Sequence, residues 1–204
     1  MLYEIGGIVI LLLSLLIYNY NRNMCCIRAK SLKLWYDHVA YTREHLIAVF
    51  TNSANIESSA TRLMRNQDDI GAFFGCYYGA SVGASVTSLL KEHIIGASKI
   101  VETIKYGKPD IVARQKEWNK NGEEIGEALD DILKITGSKK MMQDHLDLTT
   151  KEVLSLSKKD FAQSLIDYEA ALEEALSMAE MIATATAHAN KTILATSITL
   201  PCCG

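Results

Sequence analysis

The chain has 204 residues, 49% hydrophobic and 22% charged, with a formal net charge of −3. Those totals exclude a disordered polypeptide, and scattered Lys and Arg exclude the basic footprint of a nucleic-acid-binding protein. Only 2 Pro occur, and Ala, Leu, Ile, Glu and Lys are abundant, so helix is expected throughout.

From Ile5 to Tyr18 the sequence carries no charge and is dominated by Ile, Leu and Val. A helix of about 20 such residues crosses a hydrocarbon core of ~30 Å. A cleavable signal peptide fits less well: the residues before the apolar run include Glu4, and the run ends in Tyr-Asn-Tyr-Asn-Arg rather than small-x-small. Residues 1–20 are therefore expected to form a single transmembrane anchor. Arg22, Arg28, Lys30 and Lys33 all follow it, which places the rest of the chain on the cytosolic side. Residues 21–30 read as a basic juxtamembrane connector.

The 5 Cys occur as Cys25-Cys26, Cys76 and Cys202-Cys203. Adjacent pairs lack zinc-site spacing and are poor disulfide partners, so reduced thiols are expected, consistent with a cytosolic domain. Cys25 and Cys26, just past the span, are also candidates for palmitoylation.

Residues 31–187 are expected to form an all-α domain, an antiparallel four-helix bundle. The first helix, about Ser31–Thr51, puts Trp35, His38, Val39, Thr42, Leu46, Val49 and Phe50 on one face. Short helices are expected over 57–65 and 68–74, with Gly75–Gly79 as a turn. The second long helix, about Ser81–Tyr106, carries His93 in the middle of its apolar face. Gly107-Lys108-Pro109-Asp110 breaks the chain before a third, about Asp110–Ile135. Short elements over 139–145 and 149–156 lead to the last helix, about Lys158–Ala187. Its apolar stripe is drawn through Phe161, Leu165, Tyr168, Leu172, Leu176, Ala179 and Ala183, leaving Asp167, Glu173, Glu174 and Glu180 largely outside. The tail, residues 188–204, shows no helical periodicity.

Several motifs together resemble a known family: Leu34-Trp35-x-x-His38-Val39-x-x-Thr42-Arg43, Arg62-Leu63-x-x-Asn66-Gln67-x-Asp69-Ile70-Gly71, Tyr78-Gly79, Leu89-Leu90-x-x-His93-Ile94, Trp118-x-x-Asn121 and His145-Leu146-x-x-Thr149. The chain is similar over roughly Leu34–Ile182 to an uncharacterised family of small helical proteins found in bacteria. In some large DNA viruses the family carries an added N-terminal membrane helix, which implies a virion or viral membrane component. Some members are labelled acetylglutamate kinase. That activity requires an α/β sandwich with Gly-rich phosphate-binding turns after strands. This chain offers no such turn, so the resemblance implies a family without a chemistry.

Three histidines, His38, His93 and His145, point inward from different helices. Imidazoles converging inside a bundle are a possible metal or small-ligand site. The competing expectation is a satisfied polar network with Thr42, Arg43, Asn121 and Thr149, which requires no cofactor. A carboxylate di-iron site is excluded, because no Glu stands three residues before any histidine. Arg43 and Arg62 are expected to pair with Asp69 or Asp130. No nucleophile motif occurs, so no catalytic residue is assigned. The expected function is a membrane-anchored structural or interaction protein with a protein partner. The alternative is a metal- or ligand-binding bundle.

Overall fold

The computed structural model describes residues 2–196, with side chains from Gly7 onward. Among the described residues every regular element is a helix: α1 (Leu2–Thr51), α2 (Ile56–Tyr78), α3 (Ala80–Tyr106), α4 (Ile111–Leu133), α5 (Ser138–Ser157), α6 (Phe161–Ala189) and α7 (Lys191–Thr196). Each of α1 to α6 packs on its chain neighbours, and α6 returns to pack on α1. Cross-helix bonds fix the directions. Asn66 reaches Leu34 while His45 meets Ser59, Asn121 reaches Leu89 while Thr103 meets Asp110, and Ser31 reaches Ala179 while Arg43 reaches the Ser164 carbonyl. Adjacent helices are thus antiparallel, as short connections require. The bundle has six main helices rather than four.

The two extra helices arise where short elements fuse. Residues 57–65, 68–74 and the expected turn at Gly75 are one helix, because Gly75 serves packing rather than chain reversal. A Cβ on Gly83 of α3 would lie 2.7 Å from Gly75 Cα and 2.6 Å from the Gly71 carbonyl oxygen. The glycines therefore let α2 and α3 meet backbone to backbone. The reversal falls on Gly79 alone, at φ 98°, a conformation that costs an L-residue energy. Likewise 139–145 and 149–156 join as α5, since Leu146 in the gap between them is buried and continues the face of Met142 and Thr149.

The connector over residues 21–30 is not a separate segment. α1 runs unbroken for 50 residues, about 75 Å at 1.5 Å per residue. Its first described side chains, Gly7 to Tyr18, are all exposed, and from Asn19 onward the helix has a buried face that includes Asn23, Ile27 and Ser31. Part of the tail is ordered: α7 packs on α1, Leu194 is fully buried, and the Asn23 side-chain amide donates to the Leu194 carbonyl at 2.8 Å. Residues 197–204 lie outside the described residues, with Cys202 and Cys203.

The buried face of α6 also differs from the expected stripe. Phe161 and Leu165 are exposed, and the face that enters the core is Ser164, Asp167, Ala171, Ala175, Met178, Ala179, Ile182 and Ala183. Alanines let α6 approach α1 and α5 closely, and the larger side chains flank the contact. The main apolar cluster, with Ile27, Trp35, Phe74, Leu90, Trp118 and Ile182, fills the half of the bundle nearer the exposed end of α1. A smaller one, Leu46, Val101, Val153 and Leu156, closes the opposite end.

Candidate functional site

Between those two clusters lies a layer of imidazoles. His38 on α1, His93 on α3 and His145 on α5 are all buried. Ring centroids are 5.8 Å apart for His38 and His145 and 6.3 Å apart for His93 and His145. Each histidine comes from an odd-numbered helix, and each is met by a polar side chain from the helix that follows. His38 Nδ1 is 3.3 Å from Asn66 Oδ1, His93 Nδ1 is 2.9 Å from Asn121 Oδ1, and His145 Nδ1 is 3.2 Å from Glu174 Oε2. The partners stand 28, 28 and 29 residues after their histidines.

The first two arrangements are the same module. Asn66 Nδ2 donates to the Leu34 carbonyl at 3.1 Å and Asn121 Nδ2 to the Leu89 carbonyl at 3.2 Å, in both cases four residues before the histidine. That donation turns the amide oxygen toward the ring, so Nδ1 carries the hydrogen and Nε2 is the basic nitrogen. Gln67 Nε2 lies 3.3 Å from both His38 Nδ1 and Asn66 Oδ1. With Nδ1 protonated, Asn66 Oδ1 accepts from both. In the third module Glu174 replaces asparagine: it accepts from the ring but has no hydrogen to give to a carbonyl.

Electrostatics follow from burial. Loss of hydration lowers the His38 pKa to about 3, reinforced by the neighbouring His145 and His93. Burial, then His145, lowers His93 to about 3 as well. The hydrogen bonds to Asn66 and Asn121 oppose the shift without reversing it. Both rings are neutral at physiological pH. The two tryptophans border the layer, Trp35 edge-on to His38 at 5.8 Å and Trp118 stacked on His93 at 5.1 Å. Trp118 Nε1 donates to the His93 carbonyl at 3.1 Å. Gln67 Oε1 and Glu174 Oε1 are buried acceptors without a hydrogen-bond partner.

The other expected network members lie apart. Thr42 donates to the His38 carbonyl on its own helix. Thr149 is buried one turn beyond His145. Arg43 pairs with neither Asp69 nor Asp130. It binds Glu152 Oε1 at 2.7 Å and the Ser164 carbonyl at 3.0 Å, and lies over the Tyr168 ring. Burial pushes Glu152 up to about 7, while the Arg43 hydrogen bond and charge pull it down. Arg62 reaches Asp69 at 3.4 Å and Asp37 at 3.9 Å, and Asp130 accepts from the Ser138 amide.

The cysteines require a correction. Cys26 and Cys76 are disulfide-bonded, so the reduced-thiol expectation fails for both, and Cys26 is removed as a palmitoylation candidate. Cys25 is a free, exposed thiol.

The three imidazoles meet, but among the described residues no group of three or more His, Cys, Asp or Glu side chains is arranged to hold a metal ion. Asn66, Gln67 and Glu174 at the layer, and Glu152 beside Arg43, are polar core residues that carried no expected site role. The signal for Asn66 and Glu174 was the near-equal interval, 28 and 29 residues, after an inward-facing histidine. Compared with protein-family models, curated proteins and solved structures, the chain matches none.

Proposed function

We propose that the chain is a single-pass, membrane-anchored helical bundle acting as a structural or interaction protein. The observation that carries this reading is the exposed start of α1. Ile8 to Tyr18 present large apolar side chains on every side of the helix, with Leu11 71% exposed. Such a surface has no place in water, and the same helix continues into the bundle core. Among the described residues α1 is the helix long and apolar enough to cross a membrane. At the far end of the bundle Tyr106, Val112, Phe161 and Ile166 are exposed, a surface suited to a protein partner.

Two signals bear on the side of the membrane. Arg22, Arg28, Lys30 and Lys33 favour the cytosol, whereas the disulfides at Cys26 and Cys76 favour an oxidising space. A reducing compartment would open the cross-links, while charge bias is a preference only, so the bundle is assigned to the oxidising side. The membrane is a cellular one or, as the family resemblance implies, that of a virion. Alkaline extraction of membranes expressing the full chain is the test. The reading expects the protein in the pellet and a chain lacking residues 2–18 in the supernatant; full-length protein in the supernatant would remove the anchor.

The second reading, a metal- or small-ligand-binding bundle, is favoured by the convergence of His38, His93 and His145. It ranks lower because their side chains do not form a metal-ready set. Metal analysis of the purified full chain tests it, and substoichiometric metal would end the metal version.

A further inference from the structure

The six-helix ring is built from three consecutive hairpins, α1–α2, α3–α4 and α5–α6. Each sends one histidine from its first helix to the same layer and braces it from its second. The layer is where all three hairpins touch: His38 meets His145, and His145 meets His93. Its charge balance is unequal. The groups facing it are His38 on α1, Asn66 and Gln67 on α2, His93 on α3, Asn121 and Trp118 on α4, His145 on α5 and Glu174 on α6. Three bases therefore share one acid. Asp37, Glu92 and Asp144, which precede the histidines, are directed elsewhere: Asp37 pairs with Lys33, Glu92 accepts from Ser88, and Asp144 pairs with Lys140.

We propose that this layer is an acid-operated latch between the hairpins: closed while His38 and His93 are neutral, and opened when either takes a proton that Glu174 cannot balance. The ring of His145 has a carboxylate at hydrogen-bond distance. A charge on His38 or His93 faces only the oxygen of a neutral amide in a buried layer, where an unpaired charge is strongly unfavourable. Separating the hairpins restores water to the ring and relieves that cost. Protons have a route in, because a surface cleft between α3 and α4 is lined by Trp118 and Asn121, which contact His93. The outcome is exposure of the apolar hairpin faces at acid pH. This inference rests on the bundle alone, so it survives loss of the anchor reading and fails independently of it.

The repeat supplies its own test. Asn66→Asp together with Asn121→Asp gives His38 and His93 the carboxylate that His145 already has. The only two tryptophans of the chain, Trp35 and Trp118, report on the layer by their emission. Full-length protein in detergent is titrated from pH 8 to pH 3, following tryptophan emission and amide hydrogen exchange. The wild type is expected to open cooperatively below about pH 6.5, the ordinary histidine value. In the Asp/Asp variant the midpoint is expected to fall by about one pH unit or more, because each new carboxylate favours the imidazolium inside the closed layer and so removes the charge imbalance that opens it. A wild type that stays closed to pH 3, or an unchanged midpoint in the variant, overturns the proposal. If the Asp/Asp chain does not fold at pH 8, His38→Gln with His93→Gln decides. Loss of the cooperative acid opening supports the latch, and an unchanged midpoint and steepness refute it.

Discussion

The carboxylate of Glu174 lies 3.2 Å from Nδ1 of His145, in the place that the other two hairpins give to asparagine. Glu174 accepts one hydrogen bond there, whereas Asn66 and Asn121 each accept from a ring and donate to a helix carbonyl. Truncation should therefore cost unequal amounts. Asn121→Ala leaves a buried ring N–H unsatisfied and loses a second bond, together about 2–4 kcal/mol. Asn66→Ala should behave likewise. Glu174→Ala orphans the ring N–H alone and also removes a buried carboxylate, so a smaller loss is expected, about 1–3 kcal/mol. Urea denaturation of the three variants at pH 7.5 measures the order.

The same layer sets the pH dependence of stability. His38 and His93 titrate at about 3 in the folded chain and near 6.5 unfolded. Their contribution is complete above pH 6.5 and is lost as pH falls toward 3, because only the unfolded chain takes up the protons. Glu152 acts oppositely: raised to about 7 from 4.5, it contributes below pH 4.5 and loses that contribution as pH rises through 7. Between about pH 6 and 4.5 the net difference is one proton, and stability should fall by about 1.4 kcal/mol per pH unit. Below pH 4.5 the slope should approach about twice that. In Glu152→Gln the opposing uptake disappears, and the steeper slope should begin near pH 6. Chemical denaturation at half-unit pH intervals checks both slopes.

Arg43 and Glu152 form an ion pair in which Glu152 is 2% exposed. Arg43→Ala strands the carboxylate and should cost about 3–5 kcal/mol at pH 8. Replacing both residues by Met removes the charges together and should cost far less than the sum of the single changes. A double-mutant cycle by urea denaturation gives the coupling, and additive losses would show that the two side chains do not act as a pair.

At the α2–α3 contact a side chain on Gly83 collides with backbone rather than with a movable group. Gly83→Ala should therefore destabilise by about 1–3 kcal/mol despite the better helix propensity of alanine. At Gly107, where φ is 62° and a Cβ meets nothing, alanine should cost only the strain of the left-handed backbone, about 1 kcal/mol. Thermal melts of the two variants separate collision from strain.

Without reductant, an alkylating reagent should modify Cys25 but neither Cys26 nor Cys76, and reduction should make all three reactive. Peptide mass spectrometry resolves them. Labelling of all three without reductant would return the bundle to the cytosolic side.

The helical class was legible because proline is scarce and apolar residues recur at helical spacing. The three histidines were legible because each interrupts such a face. The number of helices was not. Gly75 reads as a turn in one dimension and acts as a contact in three, and nothing local says that Lys139–His145 and Thr149–Leu156 are one rod. Glu174 was hidden for a related reason. A stripe drawn through Phe161, Leu165 and Leu172 turns it outward, whereas the helix is seated by Ala171, Ala175 and Ala179, residues that hydropathy weights lightly. The disulfides at Cys26 and Cys76 were illegible because adjacent and lone cysteines carry no local pairing signal.

The proposed anchor requires one helix to leave the bilayer and enter the bundle without a break. A spin label placed by unnatural amino acid at successive positions from Ile8 to Ile27, in lipid vesicles, tests it through collision with oxygen and with a water-soluble nickel chelate. Oxygen-accessible, nickel-excluded labels are expected at every position through Tyr18, then a helical period from Asn19 onward with minima at Asn23 and Ile27. Nickel access along Ile8–Tyr18, or a break in periodicity across Asn21–Lys30, would contradict it.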